Sequence, residues 1–562
     1  MSDRAQTAHL KSAAGFGQHA ILAVRRAAMR ARELVSGLSG WRRAAVALAA
    51  GGAASFALAP YHLIPLLAVS FTCFVWLMDG LPKGRAGLVR AGRDGFLFGL
   101  GYFLAGLYWV GFAFLVDAQA HAWMMPLGVV ILPAGMALYW GLGAVLSKLL
   151  WRAGWQRIVV LALCFTAAEW LRGHLLTGFP WNLAAYAWLD VLPVAQLAAF
   201  LGAYGLTFLT ILLMASPAVL GDPPASRERA PWQAAVFPAL CLAGLALAWG
   251  FGLWRLAADG RDTVPGAMVR IVQPSVPQAE KWNPERREEF WNRLLALSGR
   301  GSKTEITHTV WPEAAVPHVF RGSQPQLPDL RAAIGDSLLL TGALRVEPGD
   351  GSRGYRGYNA FFVFDDSGRP LSVYDKHHLV PFGEYVPFRN ILTLIGLEKI
   401  GQGLGETTPG PGLRTITPPR GPAFGPLICY EAIFPGKVVA RGQRPEWLVN
   451  VTDDAWYGDT PGPRQHFALS RMRAIEEGLP VARAANNGIS GMVDAYGRVW
   501  QELALDEIGV IDTELPRALP RTLYARLGDA VPATLLLAVF LWLAGPQLVS
   551  TLRARIRRSG AS

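Results

Sequence analysis

Eight apolar stretches, most of them near the length of a membrane-crossing helix, limit what this chain can fold into. They run from Trp41 to Ala59, Leu63 to Met78, Phe96 to Val116, Met124 to Leu150, Ile158 to Leu171, Leu192 to Leu220, Val236 to Trp254 and Ala530 to Leu548. A bilayer core takes about 20 residues of helix to cross. The chain therefore reads as a polytopic α-helical bundle of about eight spans, seven in its first half and one alone near the C-terminus. Hydrophobic residues make up 52% of the 562 positions and charged residues 17%, which excludes an ordinary soluble enzyme.

Arginine and lysine set the orientation, because short cytoplasmic connections collect them and translocated ones avoid them. They crowd the N-terminal arm (Arg25, Arg26, Arg30, Arg32, Arg42, Arg43), then every second connection (Lys83 to Arg93, Lys148 to Arg157, Arg227 and Arg229), and finally the tail (Arg553, Arg555, Arg557, Arg558). An even number of spans keeps both termini inside and puts the region from about Leu256 to Gly528 outside, the periplasmic side in a bacterium. The net charge of +12 then belongs beside membrane spans and anionic lipid, and no nucleic-acid partner is expected. The arm is too long for the charged part of a signal peptide. The expected division is a basic arm 1–40, a bundle 41–256, an extracytoplasmic catalytic domain 257–528, a last span 529–550 and a basic cytoplasmic tail 551–562.

The exported region reads as α/β. Met268 to Gln273, His308 to Trp311, Ser337 to Leu344, Asn359 to Phe364, Leu371 to Tyr374, Phe424 to Ile428, Trp447 to Val451 and Gly488 to Asp494 have strand character; Pro284 to Leu297 and Pro463 to Glu477 have helical periodicity. Mostly apolar strands suit sheets covered on both faces. The doublets His377-His378 and Asp453-Asp454 do not make ligand pairs by themselves, since neighbours in a strand face opposite ways. No metal and no cofactor is expected.

Three of the four cysteines, Cys73, Cys164 and Cys241, lie in apolar spans, where a small hydrophobe is enough to explain them. Cys429 stands alone in the exported region at the end of the run Phe424 to Ile428. An unpaired thiol in an oxidising compartment needs a reason. Glu313 in Trp311-Pro-Glu and Lys376 in Tyr374-Asp-Lys each end an apolar run in the same way. A carboxylate, an ammonium and a thiol delivered by three strands point to acyl transfer through a thioester.

In that order, Trp-Pro-Glu313, Asp-Lys376 with Pro381-Phe-Gly-Glu384, and Ile-Cys429-Tyr-Glu431 resemble the Glu-Lys-Cys triad of the nitrilase superfamily of carbon-nitrogen hydrolases. Further motifs are similar to the apolipoprotein N-acyltransferase family: Val272 to Trp282, Pro381 to Pro387, Asp454-Ala-Trp-Tyr-Gly458, Glu169-Trp-Leu-Arg172 and Thr177-Gly-Phe-Pro-Trp181. The resemblance implies a nitrilase-like αββα sandwich. It implies a ping-pong reaction in which a phospholipid acyl donor, phosphatidylethanolamine, loads Cys429 and the chain passes to the α-amine of a diacylglyceryl apolipoprotein. Glu313 becomes the general base and acid, and Lys376 with the Tyr430 N–H supports the oxyanion. Glu384 and Glu431 are expected to orient Lys376 and Glu313, and Trp282, Trp456 and Tyr430 to line the lipid pocket; Asn359 is expected to bind substrate or support the site. The chain is expected to act as a monomer among membrane lipids.

Two other functions use the same residues. One is a membrane-tethered amidase with water as second nucleophile; the other is a silent lipoprotein-binding scaffold, against which the retained Glu313, Lys376 and Cys429 speak. The apolar loop Val386 to Leu397, with Phe388, Ile391, Leu392, Leu394 and Ile395, is expected to act as an interfacial lid. Glu169 and Arg172, three residues apart, are expected to close a span end as a structural pair.

Overall fold

The computed structural model describes residues 22–223, 231–257, 262–325, 327–328, 330–349, 354–387 and 406–559. The expected lid residues from Phe388 to Leu397 lie outside the described residues. A helix occupies each of the eight apolar stretches: α1 Gly40–Ser55, α2 Pro65–Asp79, α3 Arg85–Leu107, α4 Met125–Leu149, α5 Gln156–His174, α6 Ala198–Ala215, α7 Val236–Ala257 and, after the α/β region, a C-terminal helix Ala530–Ser559.

Among the described residues, four helical stretches are both long and apolar enough to cross a bilayer: Arg85–Leu115, Ala118–Leu149, Ala198–Gly221 and Trp232–Ala257. Pro65–Asp79 and Ala530–Gly545 are shorter apolar helices. Gly40–Ser55 has 16 residues with Arg42 and Arg43 near its start, and Gln156–His174 carries Arg157, Glu169, Arg172 and His174. Charge and shortness, rather than loss of helix, keep these four below the full crossing criterion.

Small residues draw the bundle together. A methyl group built on Gly51 would stand 1.8 Å from the Phe98 carbonyl oxygen, and one on Gly101 2.0 Å from that of Leu48, so α1 and α3 touch backbone to backbone as membrane helices do where side chains are absent. Phe71, Phe74, Phe98, Trp140 and Phe165 fill the middle, with Phe74 and Phe98 stacked at 4.6 Å. Arg172 pairs with Glu169 inside this packing and donates to the Trp181 carbonyl at 2.8 Å. The pair therefore ties the end of α5 to the following loop.

The region between α7 and the C-terminal helix is a four-layer sandwich. One sheet has the order β12-β1-β2-β4-β5-β6, with β3 also on β4: β1 Thr263–Gln273, β2 His308–Val310, β3 Val319–Arg321, β4 Leu338–Pro348, β5 Tyr355–Phe364, β6 Pro370–Asp375 and, returning last, β12 Gly509–Pro516. The other runs β11-β10-β9-β8-β7, from β7 Phe424–Ile428 and β8 Trp447–Thr452 to β9 Val481–Ala485, β10 Ser490–Val493 and β11 Val499–Leu503. Ile271, Leu340 and Phe361 of the first meet Phe424, Val449 and Met492 of the second in one apolar core. Outside them, α8 Arg287–Ser298 covers the first sheet through Leu294 and Leu297, and α9 Pro461–Glu477 covers the second through Phe467 and Ala474.

That second outer helix is also the joint with the bundle. Leu469, Met472 and Ile475 of α9, with Tyr430, Ile433 and Phe434 after β7, belong to the same buried cluster as the membrane helices. Gln465 Oε1 accepts from the indoles of Trp109 (3.1 Å) and Trp181 (2.8 Å), and its Nε2 donates to the Ala59 carbonyl at 3.3 Å. One side chain thus satisfies polar groups from three parts of the bundle. In α6, Gly202 departs from helical geometry (φ +64°), and the Tyr524 ring fills the space a side chain there would need.

Candidate active site

Each of the three candidate residues stands past the end of a strand: Glu313 beyond β2, Lys376 directly after β6, Cys429 directly after β7. Strand ends are where an α/β scaffold presents side chains to a crevice while hydrogen bonding fixes the backbone behind them. Lys376 Nζ lies 3.5 Å from Glu313 Oε1 and 3.0 Å from Glu384 Oε2. Asn359 Nδ2 donates to both carboxylates, 2.7 Å to Glu313 and 3.0 Å to Glu384. The Val380 N–H donates to Glu384 at 2.7 Å.

Cys429 has φ +51°, in the left-handed region that a non-glycine residue enters at a cost of about 1–3 kcal/mol. Glu431 helps to hold the turn. Its carboxylate accepts from the Ile428 N–H (2.8 Å), the Tyr374 hydroxyl (2.8 Å) and the N–H groups of His377 (2.9 Å) and His378 (3.2 Å). Among the described contacts Glu431 reaches neither Lys376 nor Glu313; it staples the strand end that carries Lys376 to the turn that carries Cys429. Glu384, by contrast, bonds to Lys376 directly and to Glu313 through Asn359.

Electrostatics assign protons in the resting site. Burial pushes the Cys429 thiol up, the Glu313 carboxylate adds to this, and Lys376 opposes. Burial also raises Glu313 above the usual carboxylate range against the pull of Lys376. For Lys376 burial favours loss of the proton, but Glu384 and then Glu313 outweigh it and the ammonium is held more firmly than usual. The site is thus a thiol beside a poised carboxylate and a permanent cation, the arrangement in which a base must take the thiol proton as the nucleophile attacks.

Sequence patterns gave no role to the groups that hold this arrangement from behind, although Asp453-Asp454 stood out as a doublet and Lys281 lies within the Val272 to Trp282 motif. Lys281 pairs with Asp453 and donates to the Glu313 carbonyl at 3.0 Å; the Asp453 N–H donates to the Glu313 carboxylate at 3.0 Å, and Asn486 Nδ2 donates to Asp453 at 3.1 Å. Below Cys429, His466 has Nδ1 2.8 Å from Asp454 and Nε2 3.3 Å from the Cys429 carbonyl oxygen, and Arg483 donates to Asp454 at 2.8 Å. Burial works against the Asp454 charge, but Arg483 and His466 hold its pKa at about 2. Asp453 and Asp454 therefore serve opposite sides of the site. The partly buried Tyr457, edge-on to Trp109 at 4.6 Å, has its phenol raised by burial and then by Cys429, Asp454 and Glu313. Its presence within Asp454-Ala-Trp-Tyr-Gly458 was the available signal.

The aromatic residues expected to line a pocket divide. Tyr430 donates its hydroxyl to the Gly178 carbonyl (3.0 Å) and packs against Phe179, His378 and Phe434, so its side chain seals the joint with the bundle. Trp456 lines a cavity where the hydrolase domain meets the bundle. Trp282 is half-buried beside Lys281.

A family model described as the apolipoprotein N-acyltransferase N-terminal domain matches residues 50–216, and one described as carbon-nitrogen hydrolase matches residues 268–524. The apolipoprotein N-acyltransferase of Rhodopseudomonas palustris is 42% identical over 513 residues, covering 90% of this chain and 95% of its own; that of Bradyrhizobium diazoefficiens is 43% identical over 516, covering 90% and 95%. The chain belongs to the apolipoprotein N-acyltransferase family. Its hydrolase half also aligns with Nit3 of Saccharomyces cerevisiae, a nitrilase-superfamily member, at 20% identity and TM-score 0.32 over 48% of this chain and 95% of that one. Family membership joins the two halves that the residue patterns pointed to separately: the membrane bundle and the α/β carbon-nitrogen hydrolase domain.

Proposed function

We propose that this protein is an apolipoprotein N-acyltransferase of the bacterial inner membrane, moving an acyl chain from a phospholipid, through a thioester on Cys429, to the α-amino group of an N-terminal diacylglyceryl-cysteine. Glu313 takes the thiol proton while Sγ attacks the ester carbonyl, and Lys376 with the Tyr430 N–H supports the oxyanion. Collapse expels the lysophospholipid alkoxide, which takes the proton from Glu313. The acceptor amine then attacks the thioester, gives its proton through Glu313 and displaces the sulfur, which ends as the thiol.

The observation that carries this reading is the position of the nucleophile: the turn that begins at Cys429 buries Tyr430, Ile433 and Phe434 in the cluster formed by the membrane helices. A thiol at that joint is placed for substrates held in the bilayer. Transfer instead of hydrolysis follows where water is kept out and an amine is presented to the thioester. The division into arm 1–40, bundle 41–256, periplasmic domain 257–528, last span 529–550 and cytoplasmic tail 551–562, with phosphatidylethanolamine as donor and a monomeric enzyme, completes the proposal; the placement of Lys and Arg supports its orientation.

In lipid nanodiscs containing labelled phosphatidylethanolamine, the wild-type protein is expected to carry label on the Cys429 peptide, to release it with neutral hydroxylamine, and to pass it to a diacylglyceryl-cysteinyl peptide. Cys429→Ala is expected to do none of these. Label that never reaches Cys429, or that goes to water at the same rate with and without the peptide, overturns the proposal in favour of no acyl-enzyme or of an amidase-like hydrolase.

A further inference from the structure

The basic arm is folded onto the bundle. Its helix over 22–36 meets the bundle backbone to backbone: a methyl group built on Gly80 would stand 2.1 Å from the Ser36 carbonyl oxygen, and one on Gly221 3.0 Å from that of Ala28. Two of its arginines point inward. Arg32 Nε lies 3.2 Å from Asp79 Oδ2, and Arg25 donates to the Asp222 carbonyl at 3.1 Å. Arg157, at the start of α5, pairs with the same two aspartates, at 3.2 Å to Asp79 and 2.6 Å to Asp222. Since α5 meets the α/β domain through its other end, by way of Arg172 and Trp181, this knot closes the far end of the bundle.

The outward face carries what a helix facing water normally hides. Leu34 is 73% exposed, Val24 57% and Trp41, in the first turn of α1, 76%. Among them stand Arg26, Arg30 and Arg42, all exposed, against one acidic residue, Glu33. None of these three arginines pairs with a carboxylate among the described residues: Arg26 Nε donates to the Leu22 carbonyl of its own helix at 3.3 Å, and the Arg42 guanidinium lies over the Trp41 ring at 5.9 Å. The arm thus turns its paired arginines inward and presents its unpaired ones beside large apolar side chains. Water suits the charges and hydrocarbon suits Leu34 and Val24, but only the headgroup zone of a bilayer suits both at once, with apolar side chains at the acyl boundary and guanidinium groups among the phosphates. A tryptophan at the end of a membrane helix belongs at that same depth.

We propose that the outward face of this helix, together with Trp41 and Arg42, is a docking surface for anionic phospholipid headgroups. The guanidinium fork matches phosphate oxygens bidentately, and each basic side chain beside an anionic leaflet adds about fivefold to binding. Leu34, Val24 and Trp41 hold the helix at the depth where those phosphates lie. The surface sits at the end of the bundle away from Cys429 and outside the two family-matched segments, 50–216 and 268–524. It is therefore separate from the acyl-donor site, and the assignment stands independently of the transferase reading.

The test places the full-length protein in phosphatidylcholine nanodiscs containing a minor fraction of phosphatidylglycerol brominated in its acyl chains or, separately, the same fraction of brominated phosphatidylcholine. Quenching of Trp41 is read as the difference between wild type and Trp41→Phe. The anionic lipid is expected to quench Trp41 about threefold or more above the choline lipid, as enrichment at this face requires. Combining Arg26→Gln, Arg30→Gln and Arg42→Gln is expected to abolish that excess while quenching by the choline lipid stays unchanged. The three side chains are exposed, and melting of this variant in pure phosphatidylcholine is expected to match wild type. Equal quenching of wild type by the two lipids, or an excess that survives the triple substitution, overturns the assignment. Absence of quenching by either lipid overturns it too, since the face would then lie in water or beneath a protein, including a second copy of the chain. The comparison of the two brominated lipids on the wild-type arginines decides the matter even where the triple variant folds poorly.

Discussion

Replacing Lys281 by Met removes the cation that holds Asp453 and the backbone of Glu313. Lys281 is 9% exposed and Asp453 4%, so the carboxylate left behind cannot recover its charge balance from water. Breaking a buried pair from one side costs about 3–5 kcal/mol. Asn486 Nδ2 (3.1 Å) and the Ala455 N–H (3.2 Å) still donate to Asp453, which places the expected loss at the lower end, about 3 kcal/mol. For a domain of this size about 3 kcal/mol corresponds to a fall of about 6 °C or more in melting temperature. The assay is thermal unfolding of the full chain in lipid nanodiscs, read beside the rate of Cys429 acylation, which is expected to drop about tenfold as Glu313 loses an anchor. Adding Asp453→Asn removes the stranded charge while keeping the side-chain shape, and is expected to restore more than half of the lost stability. A Lys281→Met protein melting within 1–2 °C of wild type (roughly half a kcal/mol), or a double variant less stable than the single one, would refute this account of the site's foundation.

Two further outcomes concern pH. Burial raises the Glu313 carboxyl while the Asn359 hydrogen bond favours its charged form; acylation of Cys429 therefore increases with pH as Glu313 loses its proton, and Asn359→Leu is expected to move that limb to higher pH. A limb that moves to lower pH contradicts the assigned roles. Asp454 has a folded pKa of about 2 against about 3.9 unfolded, so its contribution, about 2–3 kcal/mol, is present above the unfolded value and is lost as pH falls toward 2. The stability difference between wild type and Asp454→Asn is expected to shrink over that window in acid unfolding experiments, and a difference independent of pH from 5 to 2, a span of roughly three units about the unfolded pKa, would count against the Arg483 and His466 pairing.

Glu313, Lys376 and Cys429 stood out in the sequence as candidates because each follows an apolar run, where an ionisable group or lone thiol has no packing reason to be, and the structure places Lys376 3.5 Å from Glu313. The residues behind them could not be read. Lys281 meets Asp453 across 172 positions, and Arg483 meets Asp454 from inside β9, whose Val-Ala-Arg-Ala-Ala pattern hides a strand because its central guanidinium is buried and paired. β11 and β12 escaped for a different reason. They alternate or expose polar side chains such as Gln501, Glu502 and Asp512, as strands toward the sheet margins do. In the membrane part, apolar content located the eight helices of the apolar stretches, but not the helix over 22–36 in the basic arm, and the break at Gly202 and the short turn from Tyr108 to Leu115 lie against Tyr524 and the α/β domain, which no local pattern encodes.

Gln465 and His466 are consecutive on α9, one clasping Ala59, Trp109 and Trp181, the other seated beneath the carbonyl of Cys429. Both are carried by one helix backbone, so a displacement of α9 moves the grip on the bilayer-embedded half and the support under the Cys429 carbonyl together. A soluble fragment cut away from its helices would therefore be a poor stand-in for inhibitor screening, and compounds that loosen the clasp from the lipid side would silence the thiol without ever touching it.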